Sequence, residues 1–331
     1  MGIVLSLIAV IVLGAIPVIA VGNAGLATFF GVLLPAIAFG VLFVGIILRV
    51  LKWAKAPVPF RIPTTCGQQK TLSWMKNDEL DNPSSTFGVI KRMLLEVLFF
   101  RSLFRNTTAK VDAENMKVSY GPSYWLWGAG MLFHWMMLVI VLRHFRFFIE
   151  PTPAWIGWIQ NVDGFFQIGV PIIYISTVAM IVGLLFLLGR RIFDAKIKYI
   201  SLPADYFALF LLIGIGLSGA FLRHLEKVDV MAVKESMAGL TSFQLISPEG
   251  VGPWYFIHVT LVSVLFAYFP FSKLLHAPGV FLSPTRNLAN NNRAKRHINP
   301  WNPEVKVHTY LEWEEEFHDK LVGAGYPLDR E

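Results

Sequence analysis

Four histidines lie inside or at the ends of two long apolar stretches of this 331-residue chain. His134 and His144 are 10 residues apart on the first stretch, and His258 and His276 are 18 residues apart on the second. Ionisable side chains are costly inside a bilayer, so they are rare there and usually functional. Two imidazoles on facing helices can fill both axial positions of a haem iron, which favours electron transfer over oxygen chemistry. The pattern therefore predicts ligands for two haems.

The pairing of these histidines depends on the direction of the two helices. If the helices are antiparallel, His134 meets the level of His276, and His144 meets the level of His258. Ten residues of helix rise about 15 Å, whereas 18 residues of continuous helix rise about 27 Å, so the two spacings disagree. Pro270 lies between the last two histidines, where it could kink that helix and absorb part of the difference, and tilt with oblique ring planes could absorb the rest.

Three basic residues lie close to the histidines. Arg143 and Arg146 flank His144, and Lys273 precedes His276 by three residues. These cations could neutralise haem propionates. Basic residues that flank a membrane span also serve simply as anchors, and the sequence leaves both interpretations open.

The composition of the chain requires a membrane. Hydrophobic residues make up 55% and charged residues 15%, whereas charged residues supply about a quarter of a soluble domain. Apolar runs long enough to cross roughly 30 Å of hydrocarbon occur near 3–22, 26–48, 125–145, 165–189, 205–222 and 254–275. We therefore predict an all-α integral membrane protein with six transmembrane helices.

The basic residues predict the orientation. Eleven Lys and Arg residues lie in the connection 52–125, four in the connection 189–205 and eight in the tail from Lys273 onward. The other connections carry one and three. Basic residues stay on the cytoplasmic side of short loops, so we expect both termini in the cytoplasm.

Two helices outside the spans are predicted on the cytoplasmic side. The stretch from Thr86 to Arg105 combines a wide apolar face with five charged residues and is typical of an interfacial helix, with a re-entrant or seventh span as the alternative. A short acidic helix is predicted around Tyr310 to Leu321, in a tail suited to docking a soluble partner. The predicted divisions are a transmembrane hairpin, a cytoplasmic loop with the interfacial helix, a four-helix dihaem core and a cytoplasmic tail, at 1–51, 52–124, 125–276 and 277–331.

Several functional classes have no support in the sequence. The single cysteine, Cys66, excludes a disulfide framework and any iron–sulfur cluster held by this chain alone, since such clusters need about four thiolates. The chain has no GxGxxG, GK[ST], HExxH or GxSxG motif. The net charge of +7 comes without the basic, aromatic-interleaved helix of nucleic-acid binders.

Other hypotheses assign the histidines no haem. They could pack or form hydrogen bonds between helices. They could form the proton relay of a transporter or channel, although no predicted span carries a buried acidic partner. A cofactor-free assembly scaffold would suit the long loop and tail but would give no reason for four level-matched histidines.

The segments FHWMMLVIVLRHF and FIHVTLVSVLFAYFPFSKLLH, which begin at 133 and 256, resemble the gamma subunit of respiratory nitrate reductase. The resemblance covers roughly residues 120–280. It implies a dihaem cytochrome b bundle with two haem b groups, in which His134 and His276 ligate the inner haem and His144 and His258 the outer one. It also implies that the 18-residue spacing can be accommodated.

The segment TTCGQQK, the segment EVLFFRSLFRN and the tail segment RHINPWNPE depart from that subunit. They look like the cytochrome b subunit of the membrane complex associated with dissimilatory sulfite reduction. This resemblance implies a prokaryotic inner membrane, menaquinone as redox partner, and a cytoplasmic iron–sulfur subunit of heterodisulfide reductase type. It also implies further membrane subunits and a periplasmic cytochrome c subunit.

The expected function is electron transfer between menaquinol and the cytoplasmic iron–sulfur partner, in sulfur metabolism. The chain has no centre of its own for sulfur chemistry, so any enzyme is the whole complex. His224 could be a quinone-site group or an interfacial residue that snorkels beside Arg223. The candidates for lining a quinone pocket are His144, Arg143, Arg146, Glu150, Asp163 and His224.

Overall fold

The computed structural model describes residues 2–24, 26–56, 68–164, 171–242, 244–291, 293 and 307–329. Cys66, the predicted start of the fourth span at 165–170 and the RHINPWNPE segment lie outside the described residues. Within them, six helical segments are long and apolar enough to cross a membrane, which confirms the predicted number of spans. They cover Gly2–Gly22, Phe29–Ala54, Tyr124–Phe147, Ile175–Phe193, Pro203–Glu226 and Pro253–Phe271.

The spans are built on six α-helices. These are α1 (Gly2–Ala24), α2 (Leu34–Ala54), α5 (Tyr124–His144), α7 (Ile175–Phe193), α9 (Pro203–Phe221) and α11 (Pro253–Tyr268). Helices α9 and α11 each begin with a proline, whose fixed backbone angle suits the first helical turn. A π-helical turn, Phe29–Leu33, precedes α2, and another, Leu222–Glu226, follows α9.

Helix α7 packs between α5 and α9, and α9 and α11 pack against the N-terminal pair α1 and α2. Two buried clusters join these helices. One combines residues of α7 and α9: Met180, Leu184, Leu188, Tyr206, Leu212 and Ile213. The other joins α1, α9 and α11 through Val10, Leu211 and Leu261. The N-terminal pair is therefore part of the bundle rather than an appendage.

One end of the bundle carries most of the structure outside the spans, and we call it the hairpin end. The elements there are α3 (Thr86–Phe99), α4 (Arg101–Phe104), β1 (Thr107–Asp112), β2 (Lys117–Pro122), α8 (Ala195–Ile200) and α12 (His276–Gly279). The tail contains one more helix, α13 (Tyr310–Gly323). The antiparallel hairpin β1–β2 was not predicted from the sequence. Helix α13 confirms the predicted acidic helix of the tail.

The predicted interfacial helix over 86–105 is divided into α3 and α4. Phe100 adopts a left-handed conformation with φ 49°, which ends α3. The Glu96 carboxylate accepts hydrogen bonds from the backbone N–H of Ser102 at 3.0 Å and from its hydroxyl at 2.7 Å. Because these bonds satisfy the start of α4, the break is stabilised locally.

The start of the tail folds back onto the connection before α3. The backbone N–H of Asn290 donates to the carbonyl of Pro83 at 2.7 Å, and its side-chain amide donates to Asn82 at 2.5 Å. Arg286 lies 3.4 Å from the Glu96 carboxylate. The tail is thus anchored beside the α3–α4 break.

The opposite end of the bundle carries α6 (Ala154–Asp163) and α10 (Val230–Thr241), and we call it the α10 end. Asp229 caps α10 by accepting from the N–H of Met231 at 2.8 Å. Glu226 accepts from the N–H groups of Gly252 at 3.1 Å and Trp254 at 2.9 Å, at the first turn of α11. A carboxylate at a helix N-terminus also interacts favourably with the helix dipole.

Candidate functional site

Helix α5 carries two histidines whose rings are oriented by the helix itself. The Nδ1 of His134 lies 2.7 Å from the carbonyl oxygen of Gly130, and the Nδ1 of His144 lies 2.7 Å from that of Ile140. A carbonyl only accepts, so each Nδ1 is the donor. The proton therefore sits on Nδ1, and the Nε2 lone pair is free to bind a metal.

The other two histidines, His258 and His276, lie on the segment that begins with α11. The Nδ1 of His276 donates to the carbonyl of Lys273 at 2.9 Å. The Nδ1 of His258 lies 3.1 Å from the hydroxyl oxygen of Ser218, and that hydroxyl is 3.1 Å from the carbonyl of Ile215. If Ser218 donates to Ile215, it accepts from His258, which again leaves Nε2 free. Such an outer hydrogen bond is typical of metal-ligating histidines.

The structure brings the four rings together as two pairs, one near each end of the bundle. The ring centroids of His134 and His276 are 5.8 Å apart, and those of His144 and His258 are 6.4 Å apart. An imidazole nitrogen lies about 2 Å from a bound metal, so two rings on opposite sides of one metal have centroids roughly 6 Å apart. Each pair has the separation of two axial ligands on a single iron.

The disagreement between the two histidine spacings is resolved by the end of α11. The α-helix stops at Tyr268, and the 3-10 turns Phe269–Phe271 and Lys273–Leu275 follow, with Ser272 extended between them. His258 to Tyr268 is 10 residues, the same helical length as His134 to His144. The segment after Tyr268 therefore adds little along the helix axis.

Pro270 confirms the expected break in the sixth span, and its packing shows how the break is held. The proline is fully buried against α2, where a Cβ on Gly45 would lie 2.6 Å from the Cβ of Pro270. Only glycine permits this approach. The turn that directs the chain to His276 is therefore fixed by contact with the N-terminal helix pair.

The space around the rings is shaped by small and aromatic residues. The rings of Phe100 and Phe133 pack edge-on against His134, at centroid distances of 4.9 and 4.7 Å. A Cβ on Gly219 would lie 3.0 Å from the His258 ring, so this glycine of α9 leaves the room that the imidazole occupies. The aromatic contacts limit the rotation of the His134 ring, and the glycine makes room for the His258 ring.

Arg143 and Asp163, which the sequence suggested as separate site residues, form one buried network at the α10 end. Arg143 Nε lies 2.9 Å from the Asp163 carboxylate, and the Arg143 guanidinium lies 3.7 Å from the ring centroid of Tyr174. Asp163 also accepts from the N–H of Ser176 at 2.7 Å and from its hydroxyl at 2.6 Å. The network ties the end of α5, next to His144, to the start of α7.

The remaining site candidates are distributed over both ends of the bundle. The Lys273 ammonium is 2.8 Å from the Asp205 carboxylate at the start of α9, which Arg191 also approaches at 3.7 Å. Glu150 forms an ion pair with Lys234 of α10. His224 lies in the π-helical turn after α9. His224 belongs to neither ring pair.

A pocket of about 190 Å³ lies beside the His144 end of α5. Its lining comes from the turn after α5, from α6 and from α10: Arg146, Phe147, Thr152, Gln160, Val230, Met231 and Lys234. Cationic and amide donors thus face an otherwise apolar hollow. Arg146 is the sequence candidate that lines it directly, while Glu150 touches it through Lys234.

Comparison with known proteins identifies the family of this chain. Residues 85–296 match the nitrate reductase gamma subunit family. This chain belongs to the nitrate reductase gamma subunit family. The match includes α3, the hairpin, both ring pairs and the start of the tail, and it excludes α1 and α2.

Two archaeal relatives of this gamma-family chain extend the similarity over most of its length. Both are Hdr-like menaquinol oxidoreductase cytochrome b-like subunits. The protein of Archaeoglobus fulgidus is 42% identical over 285 residues, which cover 84% of this chain and 85% of the relative. That of Archaeoglobus profundus is 41% identical over 281 residues, covering 83% of each chain. The nitrate reductase gamma chain of Bacillus subtilis is 26% identical over 167 residues, 48% of this chain and 74% of the relative.

Some residues of the gamma-family site were not identified from the sequence. Ser218 is an ordinary serine of an apolar span, and only the fold shows that it faces His258. Gln160 and Lys234 come from separate short helices, so their convergence on one pocket leaves no local pattern. A weak signal existed for Lys234, because basic residues are scarce in its connection.

Proposed function

We propose that this chain is a membrane cytochrome b subunit that carries electrons between menaquinol and a cytoplasmic iron–sulfur partner through two b haems. The proposal rests on the two histidine ring pairs, His134–His276 and His144–His258. Each has an iron-sized separation between ring centroids, 5.8 and 6.4 Å, and each ring has its Nδ1 engaged. The names of the archaeal relatives support the cytochrome and menaquinol parts of the proposal.

In this proposal His134 and His276 hold the inner haem, and His144 and His258 hold the outer one. When bound, each haem would supply an iron that accepts and releases one electron. The chain's own contribution is to fix the four rings at two levels, about 15 Å apart along α5. The two levels give electrons a route between the two faces of the membrane.

The distribution of basic residues supports an orientation with the hairpin end and both termini in the cytoplasm. Helix α3 fits an interfacial position in this orientation. Its apolar residues Phe87, Ile90 and Leu94 are exposed on one side, while Val89 and Arg92 on another side are buried. A stripe of this kind suits the boundary between headgroups and acyl chains.

We assign the pocket beside His144 to the quinone ring. Arg146, Lys234, Gln160 and Thr152 offer hydrogen-bond donors to its two carbonyl oxygens, and Phe147, Val230 and Met231 offer apolar contact. The Glu150 carboxylate, paired with Lys234, is exposed to solvent and can take up one of the two protons that a bound quinol releases on oxidation. Both protons then leave to solvent on the α10 side, while the two electrons move toward the hairpin end.

The wider setting that we propose is dissimilatory sulfur metabolism, in a prokaryotic inner membrane. Its support is the resemblance of the long connection and tail to the cytochrome b subunit of the sulfite reduction complex. In this setting the chain passes electrons to an iron–sulfur subunit of heterodisulfide reductase type, beside further membrane and periplasmic cytochrome c subunits. The chain itself performs no sulfur chemistry.

The experiment that tests the haem assignment is a reduced-minus-oxidised absorption spectrum with pyridine haemochrome quantification. We expect about two b haems per chain in the wild type. The variants His134→Ala and His276→Ala should lose the same haem, and His144→Ala and His258→Ala the other. His224→Ala is the matched control and should retain both. Folded wild-type protein without haem would overturn the proposal and favour a proton-relay transporter.

The quinone assignment has its own test on α6. Gln160→Ala should raise the KM for a menaquinol analogue, because a donor to the quinone carbonyl is lost, while the haem content stays at the wild-type value. Asn161→Ala changes an exposed amide next to it and should leave the KM unchanged. Equal KM values in both variants would place the quinone elsewhere.

A further inference from the structure

The β-hairpin at the hairpin end has two chemically different faces. Residues opposite each other on antiparallel strands project to the same side. The pairs Ala109–Tyr120 and Val111–Val118 therefore share one side, which we call the hairpin face. The alternating pairs on the other side include Thr108–Gly121 and Asp112–Lys117. The hairpin is amphipathic, as a strand pair is when one side is covered.

The hairpin face is open in the described structure. Val111, Val118 and Tyr120 are 70%, 53% and 73% exposed, and Met116 in the turn is 90% exposed. A two-stranded hairpin is marginally stable in water unless its apolar side packs on something else. Contiguous apolar surface of this kind marks an interaction site. The apolar side of the hairpin is therefore not covered by any of the residues that the structure describes.

The neighbouring helix α8 extends this surface and gives it charge. The Lys196 ammonium is 3.4 Å from the carbonyl of Ala109 in β1, so α8 lies against the hairpin. The side chains of Phe193 and Tyr199 are largely exposed beside it, as is Lys198. Lys196 and Lys198 thus place positive charge beside the apolar residues. A protein partner that matches this pattern presents apolar residues within a rim of aspartate and glutamate.

The hairpin also leads directly into α5, the helix that carries His134. Its two strands are joined at the base, where the N–H of Ser123 donates to the carbonyl of Asn106 at 3.0 Å. Helix α5 begins at the next residue, and His134 lies about 15 Å along it. Phe100, six residues before Asn106, packs on the His134 ring at 4.9 Å. A protein bound to the hairpin face therefore lies at the same end of the bundle as the His134–His276 pair.

We propose that the hairpin face, with the lysines of α8 around it, is the docking surface for an acidic soluble protein that exchanges electrons with the His134–His276 haem. This inference rests on the proposed function and adds the location and chemistry of the contact. A protein docked there would cover the apolar side of the hairpin and so stabilise the two strands. It also places the partner at the end of the electron route.

Photocrosslinking in native membranes tests the occupant. Tyr120 is replaced by p-benzoylphenylalanine in the full chain, and Ser119, on the opposite side of the same strand, is replaced in a matched control. We expect the Tyr120 position to crosslink to an acidic segment of an iron–sulfur protein, and the Ser119 position to crosslink far less. Crosslinks from Tyr120 to lipid, to a second copy, or to α13 of the same chain would each overturn the proposal.

A second measurement separates docking from haem function. The double variant Val111→Thr/Tyr120→Thr keeps β-forming residues but removes the apolar face. We expect its haem content and its reduction by menaquinol analogue to match the wild type, while retention of the iron–sulfur partner after solubilisation falls about tenfold or more. Lys117→Thr/Ser119→Thr, on the polar side, is the control and should lose less. Unchanged retention in the double variant would overturn the docking surface alone, whereas failure of quinol to reduce wild-type haem would overturn the proposed function.

Discussion

Each ring pair takes one histidine from α5 and one from the segment that begins with α11. These two segments set the same separation between their own two histidines by different means. On α5, His134 and His144 are spaced by one continuous α-helix. On the other side, His258 and His276 are nearly twice as far apart in sequence and are separated by a helix, two 3-10 turns and an extended residue. The first spacing is set by backbone hydrogen bonds alone. The second depends on tertiary contacts at Pro270 and Lys273.

This difference shows where the site is sensitive to substitution. A continuous helix is rigid along its whole length, so contacts at the end of α5 are enough to hold both of its histidines in position. The broken segment has no continuous hydrogen-bond ladder after Tyr268, so its position depends on what it packs against. We therefore expect α5 to be most sensitive at the Arg143–Asp163 pair, and the broken segment at Gly45 of α2.

The largest effect is expected from Asp163→Asn. The Arg143 and Asp163 side chains are only 10% and 6% exposed, and removing one partner of a buried ion pair costs roughly 3 to 5 kcal/mol. Thermal unfolding of the purified protein should show this loss, together with a perturbed His144–His258 haem spectrum. Glu150→Gln breaks the more exposed pair with Lys234 and should cost at most about 1 kcal/mol. Equal losses of unfolding free energy in both variants would show that the buried pair at the end of α5 matters no more than the exposed pair.

Gly45→Ala should disturb the broken segment. The new methyl group meets the rigid, buried ring of Pro270, and overpacking of this kind costs about 1 to 3 kcal/mol. We expect the His134–His276 haem to be affected before the other. Gly40→Ala, where nothing lies within 4 Å, is the matched control on the same helix and should be neutral or slightly stabilising. A selective loss of the other haem in Gly45→Ala would contradict the role of this contact.

Ser218→Ala tests the one histidine whose outer partner is a side chain. His134, His144 and His276 donate to backbone carbonyls, which no substitution removes. Loss of the outer partner of a metal-ligating histidine lowers affinity by about 10- to 100-fold. Haem titration should show this loss at the His144–His258 site alone. Ser263→Ala, a buried serine bonded to its own helix, should retain both affinities.

The smallest effect is expected from Lys273→Met. The Lys273 ammonium is largely exposed, and Asp205 keeps Arg191 and the N–H of Leu202 as partners. A loss below about 1 kcal/mol is therefore expected in thermal unfolding. Retention of both haems would identify Lys273 as an anchor of the broken segment. Loss of the inner haem would instead support the propionate contact that the sequence left open.

The sequence predicted the spans because long apolar runs have few alternatives in a bilayer. It located the break at Pro270 but not its extent, since the turns after Tyr268 are fixed by packing on α2. The hairpin had a local signal, the alternation of Ala109 and Val111 with polar neighbours, but this alternation is short and weak beside the long apolar runs. The Arg143–Asp163 pair had none, because the two residues are 20 positions apart and meet only through the bend between α5 and α6.

The pairing of α5 with the last span also sets an order of assembly during synthesis. A ribosome adds about 5 to 20 residues per second, so His144 is made roughly 6 to 23 seconds before His258. During that interval α5 has no partner for either ring. The proposed His144–His258 site can be completed only after translation has passed residue 258, and the His134–His276 site only after residue 276. A nascent chain that stalls before residue 258 carries two half-sites.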